Sequence, residues 1–211
     1  MNIAIVGATG NVGRRLIEVL EKKNFPIDEL FLIASSKSVG KKINFKGKEH
    51  SIHGLENFDF SSVKIAFFSA GSSIAEKWAP IAAKKTIVID NSKFFRMDPD
   101  VPLIVPEVNS KDLKNYKKKN IIANANCSVI PLVVALKPLH DLYEIKRIVA
   151  STYQSVSGAG KAPMDELLSQ TKDFFEGKEL NSKFFTKQIA FNAIPHIDSF
   201  LEDGYTKEEQ K

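Results

Sequence analysis

The sequence predicts an α/β fold, with a doubly wound parallel sheet followed by a smaller, incomplete α+β part, and three observations predict it. A β-branched run, Asn2 to Val6, leads into the glycine loop Gly7-Ala8-Thr9-Gly10-Asn11-Val12-Gly13 and then into a helical pattern. Strand-like and helix-like segments alternate from there, which is the pattern of a parallel sheet covered on both faces. Beyond Cys127 the pattern changes to a long apolar helix, a long strand and a second helix, and then runs out in loop.

Each element has its own warrant. In the first helix, Val12, Leu16, Val19 and Leu20 recur at helical spacing and are expected on the buried face. Glu29 to Ala34 reads as the second strand, and Lys41 to Leu55, turning around Gly47, as a hairpin excursion. Val63 to Ser69 reads as a strand, Ser72 to Lys84 as a helix and Thr86 to Asp90 as a strand. Ser110 to Lys119 is expected to be helical, Ile121 to Ala123 a buried strand, and Ser128 to Tyr143 a helix that accommodates Pro131 in its first turn and Pro138 further on. Ile145 to Tyr153 is expected to be a long strand, Gln154 to Lys161 a loop, Ala162 to Glu176 a helix and Ile189 to Ile194 a strand. Thr206-Lys207-Glu208-Glu209 reads as a helix start, so the chain is expected to be interrupted there.

Composition narrows the classes. A chain of 211 residues is larger than one typical domain and smaller than two full ones. With 43% hydrophobic and 26% charged residues and no long apolar run, a globular protein is expected rather than a membrane-spanning one. Met1 runs straight towards the glycine loop without a basic n-region or cleavage site, so a cytoplasmic location is the expectation. The net charge of +5 rests on lysines assigned mainly to loops and solvent faces, such as Lys117 to Lys119, without interleaved aromatics. That argues for a solvated surface rather than a nucleic-acid groove. One cysteine can form no internal disulfide and no thiolate zinc cluster, so no metal is expected.

Two sites stand out. The G-x-x-G-x-x-G loop lies after a first strand and opens a helix, where backbone can approach a pyrophosphate and N–H groups face it; Gly7, Thr9, Gly10, Asn11 and Val12 would line that cofactor site. A tight turn with no ligand is the alternative. After the second strand, where an acidic residue would bind the ribose of NAD, the chain has Ala34-Ser35-Ser36-Lys37-Ser38. Hydroxyls with a cation suit a 2′-phosphate, so Ser35, Lys37 and Ser38 point to NADP. Cys127, in Asn124-Ala125-Asn126-Cys127-Ser128, falls between a strand and a helix, where orphan N–H groups and the helix dipole favour a thiolate nucleophile. A lone cysteine is as often a buried core residue, and its neighbours have to decide.

Together with Thr152-Tyr153-Gln154-Ser155-Val156-Ser157-Gly158-Ala159-Gly160, these motifs resemble the aspartate-semialdehyde dehydrogenases. The resemblance extends to Asp90-Asn91-Ser92 through Arg96, Val105-Pro106-Glu107-Val108-Asn109, Ala135 to His140 and Gly204-Tyr205-Thr206, and so covers nearly the whole chain. It implies an NADP-binding Rossmann-type domain over 1–126 and a partial, truncated catalytic and dimerisation domain over 127–211. The implied activity is interconversion of aspartyl-4-phosphate and aspartate semialdehyde, with inorganic phosphate and NADP, in a homodimer on the route to lysine, threonine, methionine and diaminopimelate. By motif, Cys127 resembles the nucleophile that forms a thioacyl intermediate and Gln154 the residue that orients substrate. Arg96 resembles the phosphate-binding arginine, while Ser157 with Gly158, and Ala70 with Gly71, resemble cofactor-contacting pairs. Glu208 and Lys211 resemble a Glu-x-x-Lys pair for the substrate amine and the phosphate. The chain departs from the family at Ala125, commonly proline, at Val129, commonly threonine, and at Lys37, commonly arginine. The family's substrate-carboxylate arginine, its general-base histidine and the closing helix on the first domain lie beyond the Glu-x-x-Lys motif, and His50, His53, His140 and His196 do not match that histidine. An inactive family member that keeps nucleotide binding or dimerisation is therefore the alternative. N-acetyl-glutamyl-phosphate reductase, a third reading, is disfavoured by Asn126 before Cys127, where Pro-Gly-Cys is expected.

Overall fold

The structure, a computed structural model, describes residues 1–210. They form two compact units, residues 1–150 and 151–210. This geometric division falls later than the functional boundary expected at 126/127, because the helix after Cys127 packs with the first unit.

The first unit is an eight-stranded sheet of order β3-β4-β2-β1-β5-β6-β8-β7. Its members are β1 (Ile3–Val6), β2 (Leu30–Ala34), β3 (Lys42–Phe45), β4 (Lys48–Gly54), β5 (Ile65–Phe68), β6 (Ile87–Asp90), β7 (Leu103–Ile104) and β8 (Ile121–Asn124). Every neighbouring pair is parallel except β3 with β4, the expected hairpin, which turns through Lys46 and Gly47 at positive φ. Helices α1 (Asn11–Lys22) and α2 (Ser72–Ala83) cover opposite faces of the sheet. The chain runs from β1 outward to β2 on one side and to β5 on the other, so the order reverses beside β1, where a doubly wound sheet opens its ligand crevice.

The two cores explain the helix faces. One packs Ala4, Val6, Ala66, Phe68, Val88, Ile121 and Ala123 against Ala75, Ala79, Ala82 and Ala83 of α2. The other packs Ile3, Ile5, Leu32 and Ala34 against Ile17 and Leu20 of α1. The small alanines let α2 lie close to the strands. In α1 the buried face is Gly13, Ile17 and Leu20, with Leu16 packed at its side. Val12 and Val19 are 50% and 40% exposed, which corrects the face expected from their spacing. The helix is rotated so that Gly13, which has no side chain, meets the first loop.

Other segments also differ from expectation. Pro106–Asn109 forms a short helix, α3, and Ser110–Lys118 winds as a 3-10 helix rather than an α-helix, with no residue buried. Helix α4 (Val129–Tyr143) forms as expected and ends at Glu144, whose left-handed φ of 54° lets its N–H close onto the His140 carbonyl. The long strand expected over Ile145–Tyr153 is absent. Val149 and Tyr153 are 81% and 93% exposed, and no described segment pairs with this run to satisfy its backbone.

In the second unit, α5 (Lys161–Phe175) carries the order. The strand expected over Ile189–Ile194 is instead a turn, with Phe191 at φ 58°. Buried side chains of α5 dictate that turn: Gln170 Oε1 accepts the N–H groups of Ile189 and Ala190 at 2.9 and 3.1 Å, which takes the donors a strand would use. At the helix start expected at Thr206 the described residues 207–210 form a hydrogen-bonded turn, closed by a reciprocal capping box. Thr206 N–H donates to the Glu209 carboxylate at 2.6 Å, and Glu209 N–H donates to Thr206 Oγ1 at 3.3 Å.

Candidate active site

The parallel register aligns Ile33, Val6, Phe68, Asp90 and Ala123 in one row across β2, β1, β5, β6 and β8. The segments that leave the strands after this row lie at the carboxyl edge of the sheet. In order across the sheet, they are Ser35 to Ser38, the Gly7 loop, Ser69 to Gly71, Asn91 to Arg96 and Asn124 to Cys127. Residues far apart in sequence are thereby brought to one edge.

A crevice of about 360 Å³ opens at the switch point, lined among others by Gly7, Thr9, Gly10, Ser35, Ser69 and Ala70. Its floor is held by backbone: Gly7 and Ala8 donate to the Ile33 carbonyl, Gly10 to that of Gly7 and Ser69 to that of Val6. Gly7 has φ +89°, and a Cβ there would stand 2.7 Å from the Ser69 carbonyl oxygen. At Gly13 a Cβ would stand 2.2 Å from the Gly7 oxygen. Both glycines are therefore required for the loop to close onto β5 and for α1 to approach the loop. Asn11 and Val12 begin α1 at the crevice, and Gly71, at φ +89°, begins α2 beside Ala70. Ser35 and Lys37 are exposed and Ser38 half-buried, in a single 3-10 turn at the end of β2. Arg14 was passed over in the sequence: its Nε donates to the Thr9 carbonyl at 3.1 Å and tethers the loop.

Cys127 is exposed, in the turn that opens α4. The Asn126 carbonyl accepts the N–H groups of Val129 and Ile130, while its side-chain Oδ1 accepts the Ser128 N–H at 2.8 Å and the Ser128 hydroxyl at 2.7 Å. Asn126 thus shapes the turn that presents the thiol, with Ala125 buried behind it. Exposure removes the core reading of Cys127. Arg96 is half-buried, its Nε and Nη2 donating to the carbonyls of Asn124 and Asn91 at 2.9 and 3.3 Å. Under it lies Asp90, fully buried, which accepts from the N–H and hydroxyl of Ser92 at 3.1 and 2.6 Å. Burial pushes the Asp90 carboxyl above the ordinary range, opposed by the Ser92 hydrogen bonds and by the charge of Arg96.

In the second unit Gln154 lines a hollow of about 630 Å³ with Ser155, Val156, Leu167, Phe191 and Asn192, among others. Ser157 and Gly158 sit in the adjoining 3-10 turn, where the Ser155 side chain and carbonyl accept their N–H groups. Glu166 and Gln170 of α5, which sequence reasoning missed, hold the segments that follow the helix, including Ile189 at the edge of the hollow. Glu166 accepts from the N–H groups of Lys183 and Phe184, and Gln170 bridges Asn181, Ile189 and Ala190. Their i, i+4 spacing on an apolar helix face was the available signal. Glu208 is half-buried in the turn after Thr206, and Lys211 lies outside the described residues. Among the described residues no group of His, Cys, Asp and Glu could hold a metal ion.

Residues 2–116 match the family model for the semialdehyde dehydrogenase NAD-binding domain, and residues 136–211 match that for the semialdehyde dehydrogenase dimerisation domain. The chain is 58% identical to an aspartate-semialdehyde dehydrogenase of Aquifex aeolicus over 99% of its own length and 62% of the relative's. It belongs to the aspartate-semialdehyde dehydrogenase family. A second member, aspartate-semialdehyde dehydrogenase 2 of Vibrio cholerae, is 54% identical over 100% of this chain and 63% of its own length. The structure of aspartate semialdehyde dehydrogenase II from Vibrio cholerae, complexed with ASA, superposes with a TM-score of 0.96 at 53% identity, covering 99% of this chain and 62% of that one. The Candida albicans enzyme of the family, solved with NADP, superposes with a TM-score of 0.53 at 28% identity over 68% of this chain and 48% of that one. The chain thus spans about 62% of the length of the curated relatives it matches. The expected α/β architecture and family are both confirmed.

Proposed function

We propose that this chain carries the cofactor module and the nucleophile of an NADP-dependent aspartate-semialdehyde dehydrogenase, with the cofactor domain over 1–126 and the catalytic and dimerisation domain over 127–211. The observation that carries the reading is the single carboxyl edge shared by the Gly7 loop, Ser35 to Ser38, Ala70, Arg96 and Cys127. The cradle fits a dinucleotide, since it is closed by two glycines at which a Cβ would strike backbone. Gly7, Thr9, Gly10, Asn11, Val12, Ala70 and Gly71 would hold the pyrophosphate and its neighbourhood, and Ser157 and Gly158 would add contacts. Ser35, Lys37 and Ser38 would meet a 2′-phosphate, which supports NADP over NAD.

In the reductive direction the Cys127 sulfur attacks the acyl carbon of aspartyl-4-phosphate, the C–O bond to phosphate breaks, and inorganic phosphate leaves towards Arg96. NADPH, when bound, supplies the hydride that reduces the resulting thioester. Gln154 orients the acyl group, while Glu208 and Lys211 hold the substrate amine and the phosphate. The protein is proposed to be a cytoplasmic homodimer in the biosynthesis of lysine, threonine, methionine and diaminopimelate. Among the described residues no helix is long and apolar enough to cross a membrane.

A second reading is nucleotide binding or dimerisation without turnover. Phosphate-dependent reduction of NADP with aspartate semialdehyde separates the two. Turnover abolished by Cys127→Ala supports the enzyme, whereas NADP binding without turnover supports the alternative. No NADP binding, with or without phosphate, would sink the cofactor assignment.

A further inference from the structure

Arg96 is held from two strand ends at once. Asn91 and Asn124 directly follow Asp90 and Ala123, which are register partners in the parallel strands β6 and β8, so the two asparagines stand side by side. Each offers its backbone carbonyl to the same guanidinium, Asn124 to Nε and Asn91 to Nη2. Their side chains also join: Asn124 Nδ2 donates to Asn91 Oδ1 at 2.6 Å. The bond lies past the last aligned pair of the β6–β8 ladder; on their outer sides Asn91 N–H still donates to the Phe68 carbonyl and Asn124 still pairs with Ile104 of β7, so this side-chain bond is what joins the two chains to each other there. A guanidinium is a rigid planar fork, so its aim depends on the spacing of the carbonyls that receive it. Two of its five N–H donors are used in this grip, and Nη1 takes part in neither bond. From Asn124 the chain reaches Cys127 in three residues, a span of at most about 11 Å.

We propose that Asn91 and Asn124 are positioning residues, a side-chain clasp across β6 and β8 that fixes the two carbonyls gripping Arg96 and thereby aims its remaining donors at an oxyanion beside the Cys127 turn. This rests on the reading of Arg96 as the phosphate-binding residue. Asp90 and Ser92 support the same loop from below, their bonds setting the path of Asn91 and Phe94.

The test reads the thiol directly and needs no turnover. Alkylation of Cys127 by iodoacetamide, followed by mass spectrometry, is timed across a range of inorganic phosphate in the 211-residue chain and in Arg96→Leu, Asn91→Ala, Asn124→Ala and the double alanine variant. Phosphate is expected to slow alkylation of the parent chain and to have no effect in Arg96→Leu. Each asparagine variant should need about tenfold more phosphate for the same protection, and the double variant no more than either single one, because both remove one bond. In the asparagine variants, rates without phosphate should stay within about twofold of the parent, and NADP affinity likewise. Should Asn124→Ala fail to fold, Asn91→Ala breaks the same bond from the other side. Unchanged protection in the single variants, losses that add in the double, or an equal loss of NADP affinity would each overturn the clasp. Absence of phosphate protection in the parent chain would instead overturn the role of Arg96 itself, and the clasp with it.

Discussion

At the scale of single residues, the site depends on side chains that shape backbone more than on those that meet ligand. Asn126 takes two donors of Ser128 on its side chain and two backbone N–H groups on its carbonyl. Asn126→Ala is expected to destabilise the fold by about 1 kcal/mol, the usual cost of losing such a cap, and the measurement is chemical denaturation. Asp98 makes a different kind of contribution. The hydrogen bond from Lys119, at 2.7 Å, holds its carboxyl below the ordinary carboxylate range, with desolvation opposing. Because the folded value is depressed, the stabilisation is fully present above the unfolded value, about 3.9, and is lost as pH falls through the lower folded value. The Tm of Asp98→Asn should therefore lie below that of the parent at neutral pH, and the gap should close in acid. A gap that persists below the folded value would show that charge is not its cause. Asp90 has the opposite sign: its raised carboxyl contributes stability in acid that declines as pH rises through its folded value.

At the scale of elements, α5 carries a buried polar pair that orders the chain after it. Gln170 is 1% exposed, and its amide uses both ends, donating to the Asn181 carbonyl and accepting from Ile189 and Ala190. Gln170→Leu would keep the bulk and strand those backbone groups, at about 1–3 kcal/mol for each one left unsatisfied. Hydrogen exchange should then show the amides of 189 and 190 losing protection while α5 itself keeps it. In α1 the constraint is steric. Gly13→Ala places a Cβ against the Gly7 carbonyl, so the helix must shift by more than an ångström or the loop must open. Loss of NADP affinity greater than the loss of Tm would mark the loop as the part that moves.

At the scale of the whole molecule, apolar surface remains uncovered. Helix α4, with the sequence VIPLVVALKPLHDLY, buries none of its residues fully, and Leu142 and Tyr143 are 73% and 77% exposed. On the sheet face away from α2, the strands β5, β6 and β8 line an apolar hollow of about 410 Å³ with Ile65, Ile87, Ile89 and Ile122, partly roofed by Leu113 and Tyr116. A surface of this kind binds hydrophobic dyes or self-associates. The 211-residue chain is expected to enhance ANS fluorescence while keeping native near-UV ellipticity, and to shift to higher mass with concentration in ultracentrifugation. A chain that stays dark and monomeric would contradict this.

Local signals made much of this legible in the sequence. The glycine loop, the alternation of strand and helix, the Asn-Cys turn and the capped turn at Thr206 each depend on residues within a few positions of one another, and spacing alone reports them. The strands expected at 145–153 and 189–194 did not form, because a strand is completed by a distant partner, and Gln170 claimed the donors of the second. The buried face of α1 turned on Gly13 rather than on Val12 and Val19, since the approach of a helix to a loop is decided where the two meet. Tertiary structure alone decided that Asn91 and Asn124 would stand together under Arg96, for their proximity depends on the pairing of β6 with β8. No spacing within the chain encodes which strands become neighbours.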